Sequence, residues 1–386
     1  MSHITTILLG VQQAYELPVL FQGAGAWVQQ ALAEAGMETA AALDAAEGDA
    51  ILLVGAPCPE LTAKDYRRLA ETHLAVGADF TVFTDFAHQP VRDAADAVTT
   101  LPAGTLPIVC ARPEAARAAA LDGDLIAAVN AAIAAGRTAE VVRMDASVTP
   151  VTDGASAYAA QKALCMRINM AHIARGVQIF APDSVYIAPD AQIGAGTVIL
   201  PGTIIRAGCK IGCGATIGPN SLLEQASVGD GTSVNASQIY ESAVGDHATV
   251  GPFAYIRPGC KVGDHTRIGD FVELKKAEIG NGTKVSHLTY IGDATVGERV
   301  NFGCGTVVVN YDGYQKCHTY IGDDCFIGCN TNLVSPVKLG DRVFTAAGTT
   351  VTKDVPDGAL AVARARQTTL DGWNDRRRAR MEQEKK

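Results

Sequence analysis

Asp270, His287 and Cys304 are spaced seventeen residues apart, each two places after an aliphatic or aromatic residue: Ile268, Val285 and Phe302. In a chain that coils with that period, the three stand side by side on successive turns. Imidazole is the side chain that ordinarily titrates closest to neutral pH, so His287 suits proton transfer, and Asp270 suits orienting the ring or favouring its protonated form. Two chemistries stay open at this point. His287 acts as a general base, or Cys304, His287 and Asp270 form a nucleophilic thiol set. Glu273 and Tyr290 share the same seventeen-residue register and belong to the same neighbourhood.

The elements that position these side chains follow from a second regularity. An aliphatic residue recurs every six positions at Ile187, Ile193, Ile199, Ile205, Ile211, Ile217 and Leu223, and the register runs on to Val308, then from Ile321 to Val351. Six fits neither a helix nor a simple alternating strand. Such repeats stack short strands into a parallel β-helix, three hexapeptides to a coil, with about nine coils of roughly 18 residues each. Val285 then faces inward and His287 outward. Between Val308 and Ile321, thirteen residues rich in polar groups replace two six-residue steps, and such an excursion from a solenoid is a common place for a binding site.

Before residue 177 the composition differs. Alanine-rich segments with helical spacing alternate with aliphatic runs such as Ile4 to Leu9, Ile51 to Val54 and Phe80 to Phe83, which indicates a small α/β domain. Ala160, Leu164, Ile168 and His172 form one stripe of a helix leading into the repeats. Residues 1–146 carry 8 Lys+Arg against 18 Asp+Glu, while the remaining 240 carry 24 against 23, so the acidic charge is concentrated in front. The overall charge of −9 argues against a nucleic-acid binder. No apolar run reaches the length of a membrane span, no basic leader opens the chain, and the ten cysteines show no paired zinc-type spacing. These features lead to the expectation of a cytoplasmic protein with reduced thiols, no membrane insertion and no nucleic acid.

The runs Gly251-Pro-Phe-Ala-Tyr-Ile-Arg-Pro-Gly259, Phe271-Val-Glu-Leu-Lys-Lys276, His287-Leu-Thr-Tyr290, Asn310-Tyr-Asp-Gly313, Ala346-Ala-Gly-Thr-Thr350 and Gly372-Trp373 are far more specific than periodicity. Together they resemble the acetyltransferase half of the bifunctional N-acetylglucosamine-1-phosphate uridyltransferase/glucosamine-1-phosphate N-acetyltransferase family, from about Ala155 to Trp373. The resemblance implies a left-handed β-helix, a homotrimer with sites between subunits, and acetyl transfer from acetyl-CoA to the amine of glucosamine 1-phosphate. It implies His287 as the catalytic base, with Arg257 and Lys275 at sugar-phosphate positions and Tyr290 and Asn301 at sugar positions. Glu273, in register with Tyr290, is a further candidate for holding the amine or its neighbours. Cys304, Asn310, Tyr311, Cys329, Ala347 and Arg364 fall at acetyl-CoA positions, and Lys316 is a further basic candidate nearby. The family typically has alanine at the position of Cys304 and serine at that of Cys329. Direct transfer without an acyl-enzyme is implied, and no metal is needed.

The front half departs from that family. A Gly-x-Gly-Thr-Arg-Met loop and a Pro-Lys pair should follow the first strand, but here Gly10 is followed by Val11-Gln-Gln-Ala14, and Pro18 by Val19. A magnesium-holding Gly-Asp should end a later strand, where this chain has Gly55-Ala56. The phosphate cradle, its positive charge and the metal ligand are therefore missing. The expectation is a degenerate nucleotidyltransferase-like α/β domain over 1–146, a linker and connecting helix over 147–176, the β-helix over 177–363, and a C-terminal extension over 364–386 with the basic run Arg376-Arg-Arg-Ala-Arg380. Uridylyl transfer is expected to be lost. The alternatives are acetylation of another amino-sugar phosphate or nucleotide-linked amino sugar, or a noncatalytic trimeric scaffold.

Overall fold

The computed structural model describes residues 3–9, 12–84, 89–119, 124–144 and 148–384. The expected boundary at 146/147, and Gly10 and Val11 in the first-strand comparison, lie outside the described residues. The chain forms two compact units, Met1–Arg175 with Ala181–Pro189, and Gly176–Phe180 with Asp190–Lys386.

In the first unit, the aliphatic runs become strands buried on both faces, as strands covered by helices on each side must be. The sheet order is Ala139–Arg143, Phe80–Thr84, Thr105–Ala111, Ala50–Val54, Ile4–Leu8, Glu38–Thr39. Thr105–Ala111 runs antiparallel to both of its neighbours, so the sheet is mixed. One core gathers Val28, Leu32, Leu52, Tyr66, Leu69 and Phe83, and the other gathers Ile7, Ile51, Leu53, Phe80, Val82 and Val129. The helix Gly154–Ile173 starts at a reciprocal cap between Asp153 and Ser156 and buries Ala157, Ala160 and Leu164 against Val19, Ala24, Trp27 and Val151. That helix thus contributes to the core of the first unit.

In the second unit the six-residue period folds into three parallel faces. One stacks Ile199, Ile217, Val234, Val250, Ile268, Val285, Phe302 and Ile327. Another stacks Ile205, Leu223, Ile239, Ile256, Leu274, Ile291, Val308 and Leu333. These side chains are buried and fill the interior. The first face has eleven strands, from Gln178–Ile179 to Leu360–Ala361, more than about nine coils would give, because a rung at each end lies beyond the apolar register. This solenoid is the expected left-handed β-helix.

Two devices hold the corners. Hydroxyls of Thr197, Thr232 and Thr283 donate to the carbonyls of Gly212, Gly245 and Gly297 at 2.7, 2.7 and 2.9 Å, satisfying polar groups inside a dry tube. Outside, a ladder of carboxylate and amide oxygens accepts backbone N–H groups from the preceding rung, Asp246 from Asp230, Asp264 from Asp246 and Asn281 from Asp264, each at 2.8 Å. The excursion differs from its expected geometry. Val308 and Ile321 lie on successive faces, as Leu333 and Leu339 do on the next coil, so the thirteen residues replace one step and not two.

Leu274 is fully buried on the rung that carries Glu273 and Lys275. Leu274→Ala is expected to cost about 2–5 kcal/mol in chemical denaturation, through lost burial and the cavity left behind.

Candidate functional site at one corner of the solenoid

Asp270 and His287 close the strands Arg267–Asp270 and Lys284–His287 and are direct cross-strand partners. Their meeting depends on Gly269, where a Cβ would lie 2.0 Å from the Ser286 carbonyl oxygen. The Nδ1 of His287 is 2.7 Å from Asp270 Oδ1, and the two side chains are 53% and 38% exposed, so both face outward. A carboxylate only accepts, so this contact puts a ring proton on Nδ1, and in the neutral ring that tautomer leaves the lone pair on Nε2. The hydrogen bond from His287 holds the Asp270 carboxyl below the usual range, helped by its own backbone N–H.

The corner then turns through Phe271 and Leu288, both in the left-handed region, onto the strands Glu273–Ile279 and Tyr290–Val296. Glu273 pairs with Tyr290 and with Tyr255 on either side. Its Oε1 is 2.8 Å from the Arg257 guanidinium, which also lies 5.9 Å from the Tyr255 ring centre. Lys275 is mostly buried, with its ammonium 3.5 Å from Asp293 Oδ2. Asn310, also buried, donates its side-chain amide to the same carboxylate oxygen. Lys316 reaches the cluster from the excursion. Hydrogen bonding and charge repulsion from Lys275 push the Lys316 ammonium down, whereas the contact with Lys316, then Asp293, raises Lys275. Two cations converging on one point make a site for an anion.

Tyr290 folds back over Gly292, where a Cβ would fall 2.3 Å from the phenol oxygen and 2.9 Å from Asn310 Nδ2. Asn301 sits on the face of His287, paired with Lys284 and Phe326. The excursion is a small hairpin closed between Tyr311 and Lys316 and turned by Asp312, which accepts the N–H groups of Tyr314 and Gln315 at 2.8 and 2.7 Å. Tyr311 is exposed and donates its hydroxyl to Gly313 within the hairpin.

On the other side of His287, equivalent positions form a column. The rung ladder places Cys304 after His287, then Cys329, then Ala347: Gly305 donates to Leu288, Asn330 to Cys304 and Gly348 to Cys329. Arg364 passes Gly348, its Cδ 3.8 Å from where a Cβ would stand. No hydrogen bond joins His287 to Cys304 among the described residues, so the carboxylate–imidazole pair forms without the thiol. Sequence reasoning missed Asp293 and Gly292. Asp293 follows a glycine as the corner-ladder aspartates do, so its spacing signals structure, and only the folded chain brings it to Lys275.

The bacterial transferase hexapeptide family (six repeats) matches residues 184–219, 242–276 and 318–353. A protein named bifunctional protein GlmU from Clostridium perfringens (strain SM101 / Type A) is 57% identical over 212 residues, 55% of this chain and 47% of that protein. The protein of that name from Clostridium beijerinckii is 54% identical over 218 residues, 56% of this chain and 48% of its own. The solenoid half is homologous to GlmU. The chain spans about half the length of the curated relatives it matches. A UDP-N-acetylglucosamine acyltransferase from Campylobacter jejuni superposes with a TM-score of 0.27 at 19% identity, covering 52% of this chain and 78% of its own, too distant a likeness to inform the site. Among the described residues no helix is long and apolar enough to cross a membrane, and no group of three His, Cys, Asp or Glu side chains is arranged to hold a metal ion.

The Asp270–His287 bond has a measurable signature. Because the folded carboxyl titrates below its unfolded value, the pair's stabilisation is present above the ordinary carboxylate range and is lost as pH falls through the lowered value. In a carbon-13 NMR titration, His287→Ala is expected to move the Asp270 carboxyl upward.

Proposed function

We propose that this protein is an N-acetyltransferase that moves acetyl from acetyl-CoA to the amine of an amino-sugar phosphate, glucosamine 1-phosphate. The observation that carries this reading is the Asp270–His287 hydrogen bond at a corner with a cation cluster on one side and an outward column on the other. Four rungs separate His287 from Arg364, about 19 Å at ~4.8 Å per rung. That span suits an extended CoA whose thioester lies by His287 and whose phosphates meet the Arg364 guanidinium, with Cys304, Cys329 and Ala347 along its length and Asn310 and Tyr311 beside it. Arg257, Lys275 and Lys316 supply charge for the acceptor's phosphate, while Glu273, Tyr290 and Asn301 face its sugar.

In the proposed reaction the amino sugar attacks as its free amine, and His287 Nε2 takes one proton from the nitrogen as it bonds to the thioester carbon. Asp270 steadies the imidazolium that results. The tetrahedral adduct collapses, the carbon–sulfur bond breaks, and the CoA thiolate leaves, recovering a proton from the ring. No step calls for a metal or for an acyl group on Cys304.

A column of exposed apolar side chains, Phe253, Phe271 and Leu288, adjoins the pair at 59, 58 and 57% exposure, with the two phenylalanine rings stacked 5.5 Å apart. Burying it against a second copy supports the homotrimer proposed for the active form. The proposed setting is the cytoplasm, where acetyl-CoA is made available.

The first unit is proposed to have lost uridylyl transfer. The hydroxyl of Tyr15 lies 2.8 Å from the Leu9 carbonyl and 2.9 Å from that of Val54, at the carboxyl ends of two strands where α/β sheets receive their ligands. Where a metal-holding carboxylate is expected, Ala56 is buried.

Purified protein is expected to release CoA from acetyl-CoA when glucosamine 1-phosphate is supplied, and His287→Ala to lower kcat roughly 10²–10⁴-fold with an unchanged oligomeric state. Absence of sugar-dependent CoA release in the unmodified protein contradicts the reading. Gly292→Ala is expected to displace the Tyr290 ring and raise the acceptor KM on the order of tenfold, about 1.4 kcal/mol, with a near-normal melting temperature. With UTP and N-acetylglucosamine 1-phosphate, no pyrophosphate is expected.

A further inference from the structure

Of the ten cysteines, six are buried, Cys213 is exposed with no cysteine on a neighbouring rung, and Cys317 belongs to the excursion. Cys304 and Cys329 are different. Phe302 pairs with Ile327, so two residues on, Cys304 and Cys329 occupy matching positions of adjacent rungs, and Asn330 donates its N–H to the Cys304 carbonyl at 2.8 Å. Cys329 is exposed and Cys304 half-buried, and neither thiol is engaged in a hydrogen bond among the described residues. Register places no other two cysteines of the solenoid on neighbouring rungs: the partners of Cys209, Cys213, Cys260 and Cys325 are Ala226, Asp230, Ala277 and Val343.

The two cysteines lie in the turns that follow the paired strands Asn301–Phe302 and Phe326–Ile327, and the strand spacing of about 4.8 Å that sets the separation of the rungs falls within the roughly 4.4–6.8 Å a disulfide spans between Cα atoms. Their side chains leave the backbone in the same direction, so closing the bond requires both to tilt. A bond formed that way stores strain and is readily reduced, the character of a labile disulfide and not a structural one.

We propose that Cys304 and Cys329 form a thiol pair that a low-molecular-mass disulfide oxidises to an intramolecular disulfide across the outward column next to His287. The Cys329 thiolate attacks the small disulfide, forming a mixed disulfide and releasing one small thiol. The Cys304 thiolate then attacks the Cys329 sulfur, closing the protein disulfide and releasing the second. Two protein thiols are oxidised and one small disulfide is reduced to two thiols. The closed bond occupies the first two positions of the column beyond His287, so it excludes the thioester arm of the donor. This inhibitory consequence rests on the acetyl-CoA placement proposed above, whereas formation of the disulfide does not.

The test incubates the full chain with oxidised glutathione, digests it without reduction and maps linked peptides by mass spectrometry, with CoA release assayed in parallel. The expected result is a Cys304–Cys329 link and at least a tenfold loss of activity, both reversed by dithiothreitol and both slowed by prior addition of acetyl-CoA. Cys304→Ala should retain glutathione on Cys329 without a link, with each variant compared to its own activity before oxidant. Free thiols, or separate glutathione adducts on both cysteines of the unmodified protein, overturn the proposal. A link that leaves CoA release unchanged overturns the inhibition and with it the donor placement. An inactive reduced protein counts against the acetyltransferase reading, while the peptide map still decides the disulfide.

Discussion

Rung register is the constraint on which this molecule depends. In a parallel solenoid the backbone ladder fixes neighbouring strands about 4.8 Å apart, so every outward position becomes a column and every inward position a stack. Once Ile268, Val285 and Phe302 are locked inside, Asp270 and His287 have no freedom to stand anywhere but beside each other. The interior stack and the outward pair are two consequences of one spacing. A slip of one residue in the register would send His287 off its column and bring polar groups into the tube.

The same constraint explains how a smooth repeat acquires a localised site. Most outward columns carry corner residues that only satisfy backbone groups, such as the aspartate ladder. The site arises where the pattern is broken. Two longer strands, Glu273–Ile279 and Tyr290–Val296, continue around a corner and pair on two faces, which brings Lys275 next to Asp293. On the following coil the chain leaves the ladder, and the hairpin returns Lys316 and Asn310 to that spot. The two lysines repel each other there, and Asp293 favours the charged form of both.

How far the residues reveal this in advance follows from the range of each interaction. Period and register act over one rung, so the three-faced tube and the Asp270–His287 pair are legible from spacing alone. The contact of Lys275 with Asp293 is legible only in part. It depends on the strand turning the corner, which the residue pattern does not encode separately from the ordinary Gly-Asp corner signal. The excursion shows the limit most clearly: its polar composition marks it as a site, but whether thirteen residues replace one step or two depends on how the hairpin closes at Tyr311 and Lys316. In the first unit, alternation of apolar runs and helices marks an α/β class, while the antiparallel run of Thr105–Ala111 is invisible, because a strand buried on both faces looks the same in either direction.

A structure of the protein with glucosamine 1-phosphate and a nonreactive acetyl-CoA analogue tests the central claim most directly. The account predicts the acceptor nitrogen within about 3 Å of His287 Nε2 and the pantetheine running past Cys304 and Cys329 toward Arg364. An acceptor amine bound beyond reach of that ring, or a donor lying on a different face of the solenoid, would contradict it.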